Sequence, residues 1–191
     1  TNVEKPGYTM SEKVVGENFE RIFNKAKGRI IVATFASNVH RIQQIVDASV
    51  KYERKVAVSG RSMENIVAVA AELGYLNIPE DTLVGIDQIN KYNNDQVSII
   101  TTGSQGEPMS ALARMANSEH RKVNIVAGDT VIISATPIPG NEKLVSKVIN
   151  QLLQKGAEVI YKALAEIHVS GHACKEELKL MQCLVKPKFF I

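Results

Sequence analysis

Apolar positions along the chain alternate between two periods. Across residues 11–26, Val15, Phe19, Ile22, Phe23 and Ala26 recur at the spacing of one helix face, and Thr9 or Ser11 is available to cap it. The next segment, GRIIVATF at 28–35, is a continuous β-rich apolar run, too short for a helix and bounded by Gly and by Ser-Asn; it predicts a buried strand. A second helix begins near Asn38 and carries Ile42, Ile45, Val46 and Ser49, after which RKVAVSG predicts a second strand ending at Gly60. Met63, Ile66, Val67 and Ala70 mark a third helix, with Gly74 placed to end it. Residues 75–95 are looser, holding Pro79, Gly85, Asn93 and Asn94 around one short strand candidate, TLVGI. QVSIITT then predicts a strand to Thr102, residues 109–116 a helix with Pro108 suited to its first turn, and TVIISA a further strand after a turn at Gly128 and Asp129. Leu144, Val145, Val148, Ile149 and Leu152 define a helix ending near Gly156, AEVIY a strand, and Leu178, Met181 and Leu184 a last helix before a closing strand, KFFI.

Strands that alternate with helices predict an α/β fold, a doubly wound and mostly parallel sheet with helices on both faces, because parallel neighbours need a helical return. No internal repeat is visible, so 1–191 reads as a single domain. At that length roughly 70% of the unfolded chain's surface can be buried without a disulfide or a structural metal. Cys174 and Cys183 lie nine apart in no metal-ligand spacing and read as reduced thiols. No apolar run approaches the roughly 18 residues that span a bilayer, and the first residues lack the build of a secretory signal, so a cytoplasmic location and no membrane partner are expected. The chain opens on Thr1 and closes on the apolar KPKFFI, from which we expect a fragment of a longer protein.

Charge is permissive rather than diagnostic. The net charge is +3, well short of a strongly basic nucleic-acid footprint, and with 5% aromatic residues and no Trp, base stacking on many platforms is not expected. Any nucleic-acid contact should go mainly to phosphate and sugar. In an open parallel sheet, ligands bind beyond the carboxyl ends of the strands, where helix N-termini attract anions. Five strand-to-helix loops fall there: Ser37 with Asn38, then 60–62, 103–108, 136–141 and 168–172, all small, polar and rich in Gly or Pro. One such loop is no more than a turn or a cap. Several on one edge resemble a phosphate-lined site, in which Arg61 supplies a fork matched to two phosphate oxygens and Ser62 a hydroxyl.

His168 and His172 are four apart, but Ser170 and Gly171 between them argue for a loop rather than a metal-binding helix face; donation to a phosphate is the reading they favour, beside a purely structural one. His40 and His120 each sit beside an Arg and read as surface residues. Glu107 is a general acid or base candidate, though a helix N-terminal charge suits its local sequence better. No HxHxDH run, P-loop or GxGxxG is present, so the visible residues assemble neither a catalytic set nor a metal site.

Taken together, GYTMSEKVVGE, IVATFASNVHRIQQ, VSGRSM, TTGSQGEPMSALARMA, GDTVIISATPIPGNE, IHVSGHACKEELKLM and VKPKFFI resemble, in order and spacing from about Gly7 onward, the β-CASP domain of bacterial RNase J, a metallo-β-lactamase-fold ribonuclease. That resemblance implies a Rossmann-like domain inserted in a zinc-dependent endonuclease and 5′-to-3′ exonuclease of RNA processing and decay. It implies single-stranded RNA with a 5′-monophosphate as partner, a homo-oligomeric parent, and residues 1–10 and 186–191 as junctions to a metallo-β-lactamase domain that these residues do not include. It carries Ser37, Asn38 and Val39, and His168, Val169, Ser170, Gly171 and His172, over as contacts to nucleotide and phosphate. Ser104, Gln105 and Glu107 of the GSQGE segment are carried over as additional substrate contacts, to which the sheet-edge loops add Arg61 and Ser62. The family's zinc motif is missing from these residues, so the resemblance implies zinc in the parent, none bound by this fragment, and no turnover by the fragment alone.

Two other classes remain open. TTGSQGEP after a strand weakly resembles the serine-rich phosphate loop of sugar isomerase domains, which would make this a non-catalytic phosphosugar- or nucleotide-binding module. The loops could also be mere turns and caps of an assembly domain.

Overall fold

Runs rich in β-branched residues become the innermost strands. β1 (Ile30–Ala33), β4 (Val97–Thr101) and β5 (Thr130–Ile133) are buried at every position, as strands covered on both faces must be. With β2 (Lys55–Ser59), β3 (Leu83–Val84) and β6 (Glu158–Tyr161) they form one sheet in the order β3-β2-β4-β1-β5-β6 in this computed structural model, which describes residues 2–161, 165 and 167–189. Every pairing is parallel, with Ile30 in register with both Ser98 and Thr130.

Side chains alternate across the pleat, so each strand feeds two cores. Ile30 and Val32 pack with Val56, Ile100 and Ile132 under α1 (Lys13–Lys25), α2 (Val39–Lys51) and α3 (Arg61–Glu72), which contribute Phe19, Ile45 and Val67. Ile31 and Ala33 join Ile99, Val131 and Ile133 on the opposite face, under α4 (Ala111–Ala116) and α5 (Glu142–Gln154), through Leu112, Met115, Val148 and Leu152. The sheet is doubly wound, as the period pattern predicts, and all its carboxyl ends point to one edge.

The other edge is closed by buried arginines. Arg29 holds Asp129 through two bonds of 2.9 and 2.6 Å, and Arg54 donates to the carbonyls of Gly28 and Ala26, each at 2.8 Å. These guanidinium groups join the amino ends of the strands and add nothing to the charge at the carboxyl edge. The last helix, α6 (Lys175–Val185), carries no buried residue. It is held at its start, where the Lys175 amide donates to the Lys5 carbonyl at 2.9 Å.

Several boundaries differ from expectation. The fourth helix begins at Ala111 rather than at residue 109, because the Ser110 oxygen accepts from the Ala113 amide at 3.3 Å and sets the cap there. Pro108 therefore precedes the helix instead of opening it, and Glu107 lies ahead of the first turn where the dipole would favour it. The candidate strand in TLVGI shrinks to a two-residue edge. Lys188 and Phe189 form no strand, and the rest of the expected KFFI strand, Phe190 and Ile191, lies outside the described residues. Among the described residues no helix is long and apolar enough to cross a membrane, and both cysteines are free thiols, Cys174 buried and Cys183 exposed.

Candidate nucleic-acid interface

The loop after β1 ends on Asn38, whose side-chain oxygen accepts from the Arg41 amide at 3.1 Å and so starts α2. Ser37 is exposed, Asn38 half-buried, and Val39 packs on the core. One turn on, Arg41 is fully buried, an uncommon state for a guanidinium. Its Nε donates to Glu12 at 2.7 Å, and one terminal nitrogen donates to the Ser134 hydroxyl at 2.5 Å and to the Ile167 carbonyl at 3.0 Å. Ser134 in turn donates to that same carbonyl at 2.5 Å. Ile167 is the residue that opens the 168–172 loop. Two loops more than a hundred positions apart are thereby tied across the end of β5, on the same sheet edge.

The second loop is fixed from behind by the amino-terminal segment. Asn2 donates to the Ser170 hydroxyl at 3.0 Å and to the His172 carbonyl at 2.9 Å, which Thr9 also reaches at 3.1 Å. The His172 amide donates to Ser170 at 3.2 Å. Ser170 thus accepts twice and keeps its own proton to donate, while Gly171 and the His172 ring are exposed. His168 is half-buried, and Val169 packs against the same core cluster as Val39. Beyond the loop, Glu177 accepts from the Thr9 hydroxyl at 2.7 Å and from the Cys174 and Thr9 amides at 2.7 and 2.9 Å. Those bonds, the Thr9 hydroxyl first, hold its carboxyl below the usual carboxylate range.

The other predicted contacts divide. Ser104 and Gln105 are each 2% exposed, and Gln105 donates to the Thr136 carbonyl at 3.0 Å and accepts from the Ile138 amide at 2.7 Å. That side chain joins the loops after β4 and β5 to one another. Arg61, Ser62 and Glu107 are exposed and line a separate cleft of about 830 Å³ at the ends of β2 and β4. Gly60 opens α3 at φ +111°, where a Cβ would meet Thr102 Oγ1 at 2.7 Å, so the chain can make this close turn only with glycine. Gly60 also supplies no side-chain cap to α3.

His120, expected at the surface, is half-buried in the wall of that cleft. Its Nδ1 accepts from the Val123 and Lys122 amides at 3.0 and 3.3 Å, which assigns the ring proton of the neutral imidazole to Nε2, 3.0 Å from the Ser59 hydroxyl. Burial, then the charges of Arg114 and Lys122, push its pKa below the ordinary histidine value. His120 and its basic neighbours were missed because they follow a helix instead of preceding one; the HRK triplet at 120–122 was the one signal available. Arg41 was missed because a buried arginine looks, in sequence, like any polar position on a helix. Among the described residues no group of three or more His, Cys, Asp or Glu side chains is placed to hold a metal ion.

The fold is an α/β domain with a doubly wound, all-parallel sheet whose carboxyl edge presents hydroxyls, amides and imidazole. The β-CASP domain of ribonuclease J matches residues 27–152, and the chain belongs to that family. It is 51% identical over all of its length to a Ribonuclease J of Helicobacter pylori, of which it covers 28%. It is likewise 49% identical to a Ribonuclease J of Thermus thermophilus and 47% to the Ribonuclease J2 of Bacillus subtilis, covering 33% and 34% of those proteins. The chain therefore spans about a third of its relatives' length.

Proposed function

We propose that this domain grips single-stranded RNA by its 5′-monophosphate and backbone on behalf of a zinc-dependent cytoplasmic ribonuclease of the J family. The observation that supports it best is the Arg41–Ser134–Ile167 tie, which holds the loops of Ser37, Asn38 and Val39 and of His168 to His172 to one edge of a sheet in this family. In this reading Ser170, already accepting two bonds, donates its proton to a phosphate oxygen, His172 adds a charge-assisted donor, and Ser37 contributes a hydroxyl. Asn38 orders its loop as the α2 cap and leaves its amide nitrogen for the ligand. The chemistry a zinc ion supplies, activation of a water, belongs to a metallo-β-lactamase domain outside this chain, and this domain binds and orients. The parent works as a homo-oligomer.

Binding of matched single-stranded RNAs with a 5′-phosphate or a 5′-hydroxyl tests the proposal. Tighter binding of the phosphorylated RNA is expected. Equal affinity for both, or preferential capture of a free hexose phosphate, would replace it with the small-ligand reading.

A further inference from the structure

We propose that the cleft between the ends of β2 and β4 is a second phosphate site, which holds an internal phosphodiester of the same RNA strand. The inference rests on the RNA reading above and adds a site to it. The cleft encloses about 830 Å³ and is lined by four cationic side chains, Arg61, Arg114, Arg121 and Lys122, against the carboxylates of Glu64 and Glu107. In a chain whose whole net charge is +3, that is a concentration of positive charge in one concave place. A cleft walled by low-dielectric protein focuses such a field and attracts polyanions.

Two of the cations stand open to a ligand, while Arg114 already donates to the Glu119 carbonyl at 3.3 Å. Arg61 and Arg121 enter no ion pair among the described residues. Lys122 has only a loose, exposed pairing with Asp87 at 3.6 Å, an arrangement that contributes little and yields readily to a phosphate. The amino end of α3, uncapped by any side chain, opens into the same space. His120 gives the wall its rigidity. Bonded to Ser59 on one side and to the Val123 and Lys122 amides on the other, it fixes the 120–123 turn that carries Arg121 and Lys122.

Position decides which phosphate is held. The sheet order places β2 two strands from β1 and four from β6. At roughly 4.8 Å per strand, the cleft, which spans the ends of β2 and β4, lies about 5–10 Å from the Ser37 loop and about 14–19 Å from the His168 loop. A phosphate held by the His168 to His172 loop cannot also sit here, whereas a phosphodiester further along the strand can. Cations that contact a strand in this way act with little regard to sequence.

The test is fluorescence anisotropy on the 191-residue chain, comparing a 5′-phosphorylated dodecanucleotide with a 5′-mononucleotide over a range of salt. Arg61→Ala with Arg121→Ala, both at exposed positions, should weaken the dodecanucleotide about tenfold. It should also reduce the salt slope by about 0.7, the amount lost when one phosphate of a single strand is no longer neutralised. Mononucleotide affinity should stay within about twofold, while His172→Ala should weaken both ligands. Unchanged dodecanucleotide affinity and slope in the double variant overturn the second site. Equal loss of both ligands overturns it too, since the cleft would then bind the terminal phosphate. So does competition in which inorganic phosphate fills the cleft without displacing the dodecanucleotide. A wild-type chain that ignores the 5′-phosphate, yet loses the dodecanucleotide on double substitution, overturns the end-gripping reading and supports the cleft.

Discussion

Replacing Arg41 by Met keeps the length and the apolar stem of the side chain and deletes the guanidinium that joins Glu12, Ser134 and Ile167. Breaking a buried ion pair by removing one partner costs about 3–5 kcal/mol when the remaining charge is stranded. Glu12, however, has a 37% exposed side chain and can be rehydrated. The Ile167 carbonyl also keeps its bond from Ser134. We therefore expect the low end, about 3 kcal/mol, which includes the lost charge-assisted bonds at about 1.5–3 kcal/mol each, discounted for what water and Ser134 restore. For a chain of this length that is a fall in Tm of about 6–12 °C. Urea titration followed by circular dichroism measures the stability directly. Arg41→Lys should lose most of the same amount, since an ammonium cannot serve three acceptors in a planar fork. A positioning role adds a further requirement: under conditions where the variant is folded, its affinity for 5′-phosphorylated RNA should still fall, because the 168–172 loop has lost its anchor to α2. An Arg41→Met chain within about 0.5 kcal/mol of wild type, the spread of ordinary surface changes, would refute the stability account. A destabilised variant with undiminished affinity would refute the positioning account.

Substituting His172 by Ala should remove one charge-assisted bond, about 1.5–3 kcal/mol, and weaken 5′-phosphorylated RNA about tenfold or more without loss of fold; retained affinity would dismiss the site. RNA incubated with this chain and zinc or manganese should remain intact on a denaturing gel, and cleavage that survives purification and disappears with chelator would contradict the assignment of metal chemistry elsewhere. His120 has a lowered pKa in the fold, so its contribution is complete above the unfolded value near 6.5 and is lost as pH falls from there through the folded value. His120→Gln should flatten that part of the stability-against-pH curve, and an unaltered slope would reject the buried neutral ring. Leu180, Met181, Leu184 and Val185 are all more than half exposed on α6, which predicts self-association in light scattering at high concentration; a clean monomer there would show that this face tolerates water.

Hydrophobic period alone carried most of the architecture. Continuous apolar runs too short for a helix and bounded by turn residues read as strands sheathed on both faces, and helical spacing between them calls for parallel crossovers, so fold class and the edge that bears the loops were readable from one chain. Local chemistry was readable too where a residue acts on its own neighbours, as Asn38 does in capping α2 and Gly74 does in ending α3 at φ +75°. Caps of equal merit were harder to rank: Ser110 displaced the start expected at residue 109, because a side-chain acceptor outweighs a proline's preset φ.

Partnership at long range was invisible. Gln105 and Arg61 look alike in sequence, both polar and beside a glycine in a strand-to-helix loop. The fold buries Gln105 between two loops and leaves Arg61 in an open cleft. Arg41 and His120 differ from surface residues only through groups far away in the chain, Ile167 for the first and Ser59 for the second. A hydrophobic pattern repeats within a few residues and is written locally, so sequence determines it. A buried polar contact depends on which strand ends lie side by side, and that is set only when the sheet assembles.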